Sequence, residues 1–174
     1  ELLDFSRMQN GLTLECEKLD LAAEVSDAVL TMTPRAMQEG LTLRWEEPEA
    51  PVPVHADAAR LKQVFINVLD NAVKYSPPGG TITVELLQDG HNAFLNFTDE
   101  GRGIAPEDLE NVKTKFYKGK GAVRGSGIGL AVVDEIVTAH GGSLNLQSEV
   151  GRGTTVTVRL PLEAASASVG WKGP

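Results

Sequence analysis

The stretch Leu61 to Tyr75 most constrains the fold. Leu61, Val64, Phe65, Val68, Leu69 and Ala72 stand at helical spacing, and Pro77-Pro78-Gly79-Gly80 stops the helix abruptly. A helix running from near Ala58 to Ser76 must bury its broad apolar face, and the next segments can receive it. Thr81 to Leu87 and Ala93 to Asp99 alternate with a period of two across Gln88-Asp89-Gly90-His91, which predicts a hairpin with one buried face. Helix on sheet is the expected packing.

The remaining segments extend that scheme. Leu12, Leu14 and Cys16 alternate with Thr13, Glu15 and Glu17, predicting a strand. Asp20 can cap a helix with Leu21, Val25, Val29, Met32 and Ala36 inside it, Pro34 as a candidate bend and Gly40 as its end. A strand Leu41 to Trp45 leads into a Pro-rich turn, Glu47 to Pro53. A helical stretch near Glu107 to Phe116 and a glycine-rich basic loop precede a helix from Ile128 to His140, closed by Gly141-Gly142. Strands Ser143 to Ser148 and Thr154 to Leu160 finish the pattern. Strands and helices do not alternate regularly and no repeat is present, so the expected class is α+β, a two-layer α/β sandwich with a mixed sheet and helices on one face. Three parts are expected: residues 1–11 as the end of a helix with no cap ahead of it, one domain over 12–162, and a disordered tail over 163–174.

Bulk chemistry removes several functions. A chain of 174 residues with net charge -8 lacks the positive field that captures polyanions, so nucleic acid is not an expected partner. The single Cys16 cannot form an internal disulfide and has no metal-ligand set around it, which fits a reducing cytoplasmic compartment. No run approaches the roughly 20 apolar residues that cross a bilayer, so this domain itself is not expected to contact the membrane.

Four polar clusters carry the candidate chemistry. On the first helix, Asn67, Asn71 and Lys74 follow i, i+4, i+7 spacing and form a polar stripe beside the apolar face. Two such amides either bond to neighbouring backbone or solvent, or offer oxygens to a hard cation such as Mg²⁺ while Lys74 faces a phosphate. Asp99-Glu100-Gly101-Arg102-Gly103-Ile104 follows a strand directly. It is either a plain turn or a carboxylate placed for an exocyclic amine such as that of adenine, with glycines allowing close approach. Gly125-Ser126-Gly127-Ile128-Gly129-Leu130 opens a helix and can cradle phosphates with backbone N–H groups, or serve as a linker. Phe116, Tyr117, Lys118, Lys120 and Arg124 lie between the two glycine clusters, where they form either a solvated basic loop or a mobile lid over an anion. Thr154, after Gly151-Arg152-Gly153, carries a hydroxyl that can support Asp99 in holding a base, directly or through water.

Together and in this order, these motifs resemble the N, G1, G2 and G3 boxes of the histidine-kinase catalytic domain, with Phe116-Tyr117-Lys118 similar to its F box. The resemblance covers about Leu12 to Pro161. It implies the Bergerat-type ATP-binding fold shared with type II topoisomerases and a large heat-shock chaperone, with ATP and Mg²⁺ as cofactors beneath a mobile lid. By that likeness Asn71 matches the Mg²⁺ ligand and Asn67 a catalytic, metal-side polar residue. Lys74 matches a catalytic phosphate contact and Tyr75 a nucleotide contact. Asp99 matches the adenine-reading carboxylate, with Gly101, Gly103 and Ile104 in its turn. Ser126, Ile128 and Leu130 accompany Gly125, Gly127 and Gly129 in the phosphate loop, and Thr154 matches the base-supporting threonine. Glu1 to Asn10 resembles the end of a dimerisation helix.

The likeness departs in two places. Lys118 stands where the family lid often has arginine, and a lysine cannot make a bidentate phosphate contact. None of His55, His91 and His140 resembles the phosphoacceptor. The resemblance therefore implies transfer of the γ-phosphoryl group to a histidine on a separate dimerisation segment of the same parent protein, with a response regulator downstream and a possible inner-membrane anchor elsewhere in the parent. A nucleotide-binding regulatory module without phosphotransfer and a serine kinase of anti-sigma type are the alternatives.

Overall fold

The computed structural model describes residues 13–101 and 126–163, with backbone alone over 126–129. In chain order the elements are β1 (Glu17–Asp20), α1 (Leu21–Gln38), β2 (Thr42–Trp45), β3 (Pro53–Ala56), α2 (Ala58–Tyr75), β4 (Thr81–Gln88), β5 (Asn92–Thr98), α3 (Ser126–Ala139), β6 (Ser143–Glu149) and β7 (Gly153–Pro161). Five strands form a mixed sheet in the order β2-β4-β5-β7-β6, with β2 parallel to β4 and the other neighbours antiparallel. A small antiparallel pair, β1 with β3, stands apart.

Aspartates start both long helices. The Asp20 carboxylate accepts from Ala22 N at 3.1 Å and Val52 N at 2.9 Å, and Asp57 accepts from Arg60 N at 3.2 Å and Glu15 N at 2.9 Å. Each cap therefore also ties its helix to another segment. The strand expected over residues 12–17 begins only at Glu17, because the Glu15 N–H is taken by the Asp57 side chain and pairing starts at Glu17 opposite Ala56. The expected Pro-rich turn ends in a strand that the sequence reading missed. Pro53 opens β3, a position where a missing N–H is tolerated. Pro34 stands within α1, which continues to Gln38 before Gly40 turns at φ 75°.

The core lies between the sheet and one layer of helices. Leu61, Val64, Phe65, Val68 and Leu69 of α2 are buried together with Ile82 and Val84 of β4, Leu95 and Phe97 of β5, and Val158 and Leu160 of β7. The rings of Phe65 and Phe97 sit 6.2 Å apart across the interface. Helix α2 packs between α1 and α3, and the three contact β2, β5, and β6 with β7 respectively. On the other face polar side chains bond across strands: Thr98 with Thr155 at 3.1 Å, Thr157 to Asn96 at 2.7 Å and Arg159 to Asn92 at 2.9 Å. One sheet face is thus covered and one is solvated, the expected two-layer sandwich. No helix among the described residues is long and apolar enough to cross a membrane.

Candidate functional site

Strand alternation places the site. The helix-facing rows of three neighbouring strands read Ala93-Leu95-Phe97-Asp99, Leu160-Val158-Val156-Thr154 and Leu144-Leu146-Ser148, so each apolar row ends in a polar residue at the same rim of the core. Asp99 N donates to Thr154 O at 2.9 Å, extending the β5–β7 ladder by one step. The carboxylate Oδ1 then accepts from Gly101 N at 2.8 Å and Thr154 N at 3.2 Å. Asp99 is only 8% exposed. Burial pushes its carboxyl above the ordinary aspartate range, against the Gly101 and Thr154 N–H groups that pull it down. Its other oxygen, Oδ2, accepts nothing from the described residues and remains for a ligand donor.

Two glycines let backbone crowd around this carboxylate. A Cβ on Gly101 would overlap Tyr75 O at the end of α2, and one on Gly153, at φ 103°, would overlap Asp99 O and lie 2.9 Å from its carbonyl carbon. The Asp99 turn is thereby pressed against the last turn of α2, one helical turn beyond Asn71. The buried Asn71 Nδ2 has no partner among the described residues, which leaves the donor pole of that amide for a ligand. Asn67 is half-buried. Lys74 pairs with Asp70 at 3.3 Å, and Asp70 also takes Arg35 of α1 at 2.8 Å. Tyr75 is 44% exposed.

The structure thus brings Asp99, Gly101 and Thr154 together beside the end of the helix that carries Asn67, Asn71, Lys74 and Tyr75. The Thr154 hydroxyl bonds Ser148 Oγ at 2.8 Å, while its backbone N–H reaches Asp99. Ser126, Gly127, Ile128 and Gly129 form the first turn of α3, which packs against α2. Leu130, grouped with them by sequence, is 7% exposed and belongs to the core cluster. Gly103, Ile104, Phe116, Tyr117, Lys118, Lys120, Arg124 and Gly125 lie outside the described residues. Sequence reasoning missed Ser148, although its place after Leu144 and Leu146 in a period of two was the available signal. It also missed Gly153, whose positive φ no neighbouring residue announces.

A buried carboxylate with a free acceptor at a sheet rim, next to a helix with an open amide, defines an α+β sandwich suited to a small polar ligand with an amine edge. Comparison with known proteins makes the class specific. Residues 56–164 match the family described as Histidine kinase-, DNA gyrase B-, and HSP90-like ATPase, and the chain belongs to that family. It is similar to Histidine protein kinase DivJ of Caulobacter vibrioides, 34% identical over 93% of this chain and 28% of that protein. Among solved structures it resembles the mycobacterial sensor histidine kinase MprB, with a TM-score of 0.69 and 32% identity over 85% of this chain and 98% of that one. It also resembles full-length ShkA in complex with AMPPNP, with a TM-score of 0.75 and 27% identity over 92% of this chain and 34% of that one. The chain spans 21% and 28% of the first curated relatives it matches.

Proposed function

We propose that this domain binds Mg-ATP and presents its γ-phosphoryl group to a histidine on a separate dimerisation segment. The single observation that carries the reading is the Asp99 corner: a buried carboxylate, tied on one oxygen by Gly101 and Thr154, with the other oxygen free to accept from a 6-amino group. The family match to an ATPase domain and the likeness to ShkA in complex with AMPPNP support it.

The residues divide the work. Asp99 selects the base, Thr154 supports it, and Gly101 allows the approach, with Gly103 and Ile104 assigned to the same motif by resemblance. The side-chain oxygens of Asn71 and its neighbour Asn67 would hold a hard cation, while Asn71 Nδ2, unpartnered among the described residues, is a donor for a phosphate oxygen. Such a cation supplies charge neutralisation at the phosphates. Lys74 supplies a further positive charge there, Tyr75 borders the nucleotide, and the first turn of α3 offers N–H groups to the phosphates. In our reading Phe116, Tyr117, Lys118, Lys120 and Arg124 form the lid. The acceptor histidine attacks, so this domain needs no nucleophile of its own, and its contribution is positioning and electrostatics. We place the domain over residues 12–162 and read a response regulator as the downstream partner.

The direct test mixes this chain with a separately made dimerisation segment of the parent protein and labelled ATP. Acid-labile phosphohistidine on that segment is the expected product. ATP binding without any such product would contradict transfer and leave a binding module.

A further inference from the structure

We propose that Ser148 is a positioning residue that sets base specificity, by orienting the Thr154 hydroxyl so that it offers a lone pair rather than a proton to the nucleotide. The inference rests on the adenine reading of the Asp99 corner and names a residue in that corner to which neither the motifs nor the comparisons give a role.

Proton accounting in the β6–β7 ladder carries it. Ser148 stands directly opposite Thr154, with its Oγ 2.8 Å from Thr154 Oγ1 and 3.1 Å from Gly153 O. A carbonyl oxygen can only accept, so the one Ser148 hydroxyl proton goes to Gly153 O. In its bond with Thr154, Ser148 must therefore accept, and Thr154 donates its only hydroxyl proton away from the ligand side. Thr154 Oγ1 is left with lone pairs, and the backbone N of the same residue holds Asp99 Oδ1 at 3.2 Å, so both residues belong to one corner.

The corner thus presents two acceptors and no donor. A 6-amino purine can donate to both from its N–H₂ group, directly or through a bridging water, whereas a 6-oxo purine turns its O6 acceptor to the corner and keeps only N1–H to donate. Without Ser148 the Thr154 hydroxyl can rotate and donate, which relaxes the discrimination. Gly153 belongs to the same device: its carbonyl accepts from Ser148, and a Cβ at its positive φ would overlap Asp99 O.

The test is equilibrium titration of the full chain with Mg-ATP and Mg-ITP. In Ser148→Ala the ATP-to-ITP affinity ratio should fall about fivefold, the equivalent of one ordinary hydrogen bond. Ser148→Thr should keep the parent ratio, and Ser148→Cys, a poor hydrogen-bond partner, should behave as the alanine variant does. In a Thr154→Val background the Ser148→Ala change should add nothing. Thr155→Ala, altering the hydroxyl pair on the opposite sheet face, should leave the ratio alone. Melting without nucleotide separates loss of fold from loss of selectivity. A parent chain that prefers ATP together with alanine and cysteine variants of unchanged ratio overturns this inference alone, as does a full Ser148→Ala effect in the Thr154→Val background. A parent chain that binds neither nucleotide, or both equally, removes the adenine reading and this inference with it.

Discussion

The α-carbon of Gly101 lies so close to the carbonyl oxygen of Tyr75 that no side chain fits between them. This contact presses the turn carrying Asp99 against the end of α2. Gly101→Ala should therefore destabilise the fold by about 1–3 kcal/mol, as overpacking does, and lower the melting temperature by about 2–12 °C. Because Asp99 would move with the turn, nucleotide affinity should fall as well. A variant with parental melting and affinity would show that the turn tolerates a wider spacing.

Asp99→Asn separates the two oxygens of that carboxylate. The amide oxygen can keep the bonds from Gly101 N and Thr154 N, while an N–H₂ donor replaces the free acceptor. Loss of a charge-assisted bond should weaken ATP on the order of 10–100-fold and improve ITP relative to ATP. Thermal stability without nucleotide should stay at or above the parent, since a buried charge is removed. Equal loss of both nucleotides would contradict the base-reading role.

The raised pKa of Asp99 predicts the direction of the pH dependence. Its folded value lies above the unfolded one, so its contribution to stability is present at low pH and is lost as pH rises through the folded pKa. Binding of a 6-amino base runs the other way, because it needs the ionised form. ATP affinity should fall on acidification at a pH above the ordinary aspartate range, with ITP losing less. An ATP-to-ITP ratio flat from about pH 4 to 8 would contradict this.

Asn71→Ala should abolish the magnesium dependence of nucleotide affinity. The amide has no partner at Nδ2 among the described residues, so the variant should melt within about 1 kcal/mol of the parent. Parental titrations with and without magnesium would place the cation elsewhere.

Much of this architecture was legible because each element states its period. The α2 pattern from Leu61 to Ala72 and the alternation of Ala93, Leu95 and Phe97 each have one satisfactory partner face, and the structure pairs them. Short strands were less legible: β3 begins at a proline, and β1 depends on what lies opposite rather than on its own four residues. Asp99 and Thr154 could be singled out from their motifs. Ser148 was marked only by its place in the two-residue period after Leu144 and Leu146, and its bearing on the site emerges when the register sets it against Thr154. The Arg35–Asp70 pair likewise joins residues far apart in sequence, through a contact that only packing of α1 on α2 creates.

Calorimetric titration of this chain with ATP, with magnesium present and then chelated, tests the central claim most directly. One saturable site, strong with magnesium and much weaker without it, is the expected result. A flat trace in both conditions would contradict the account.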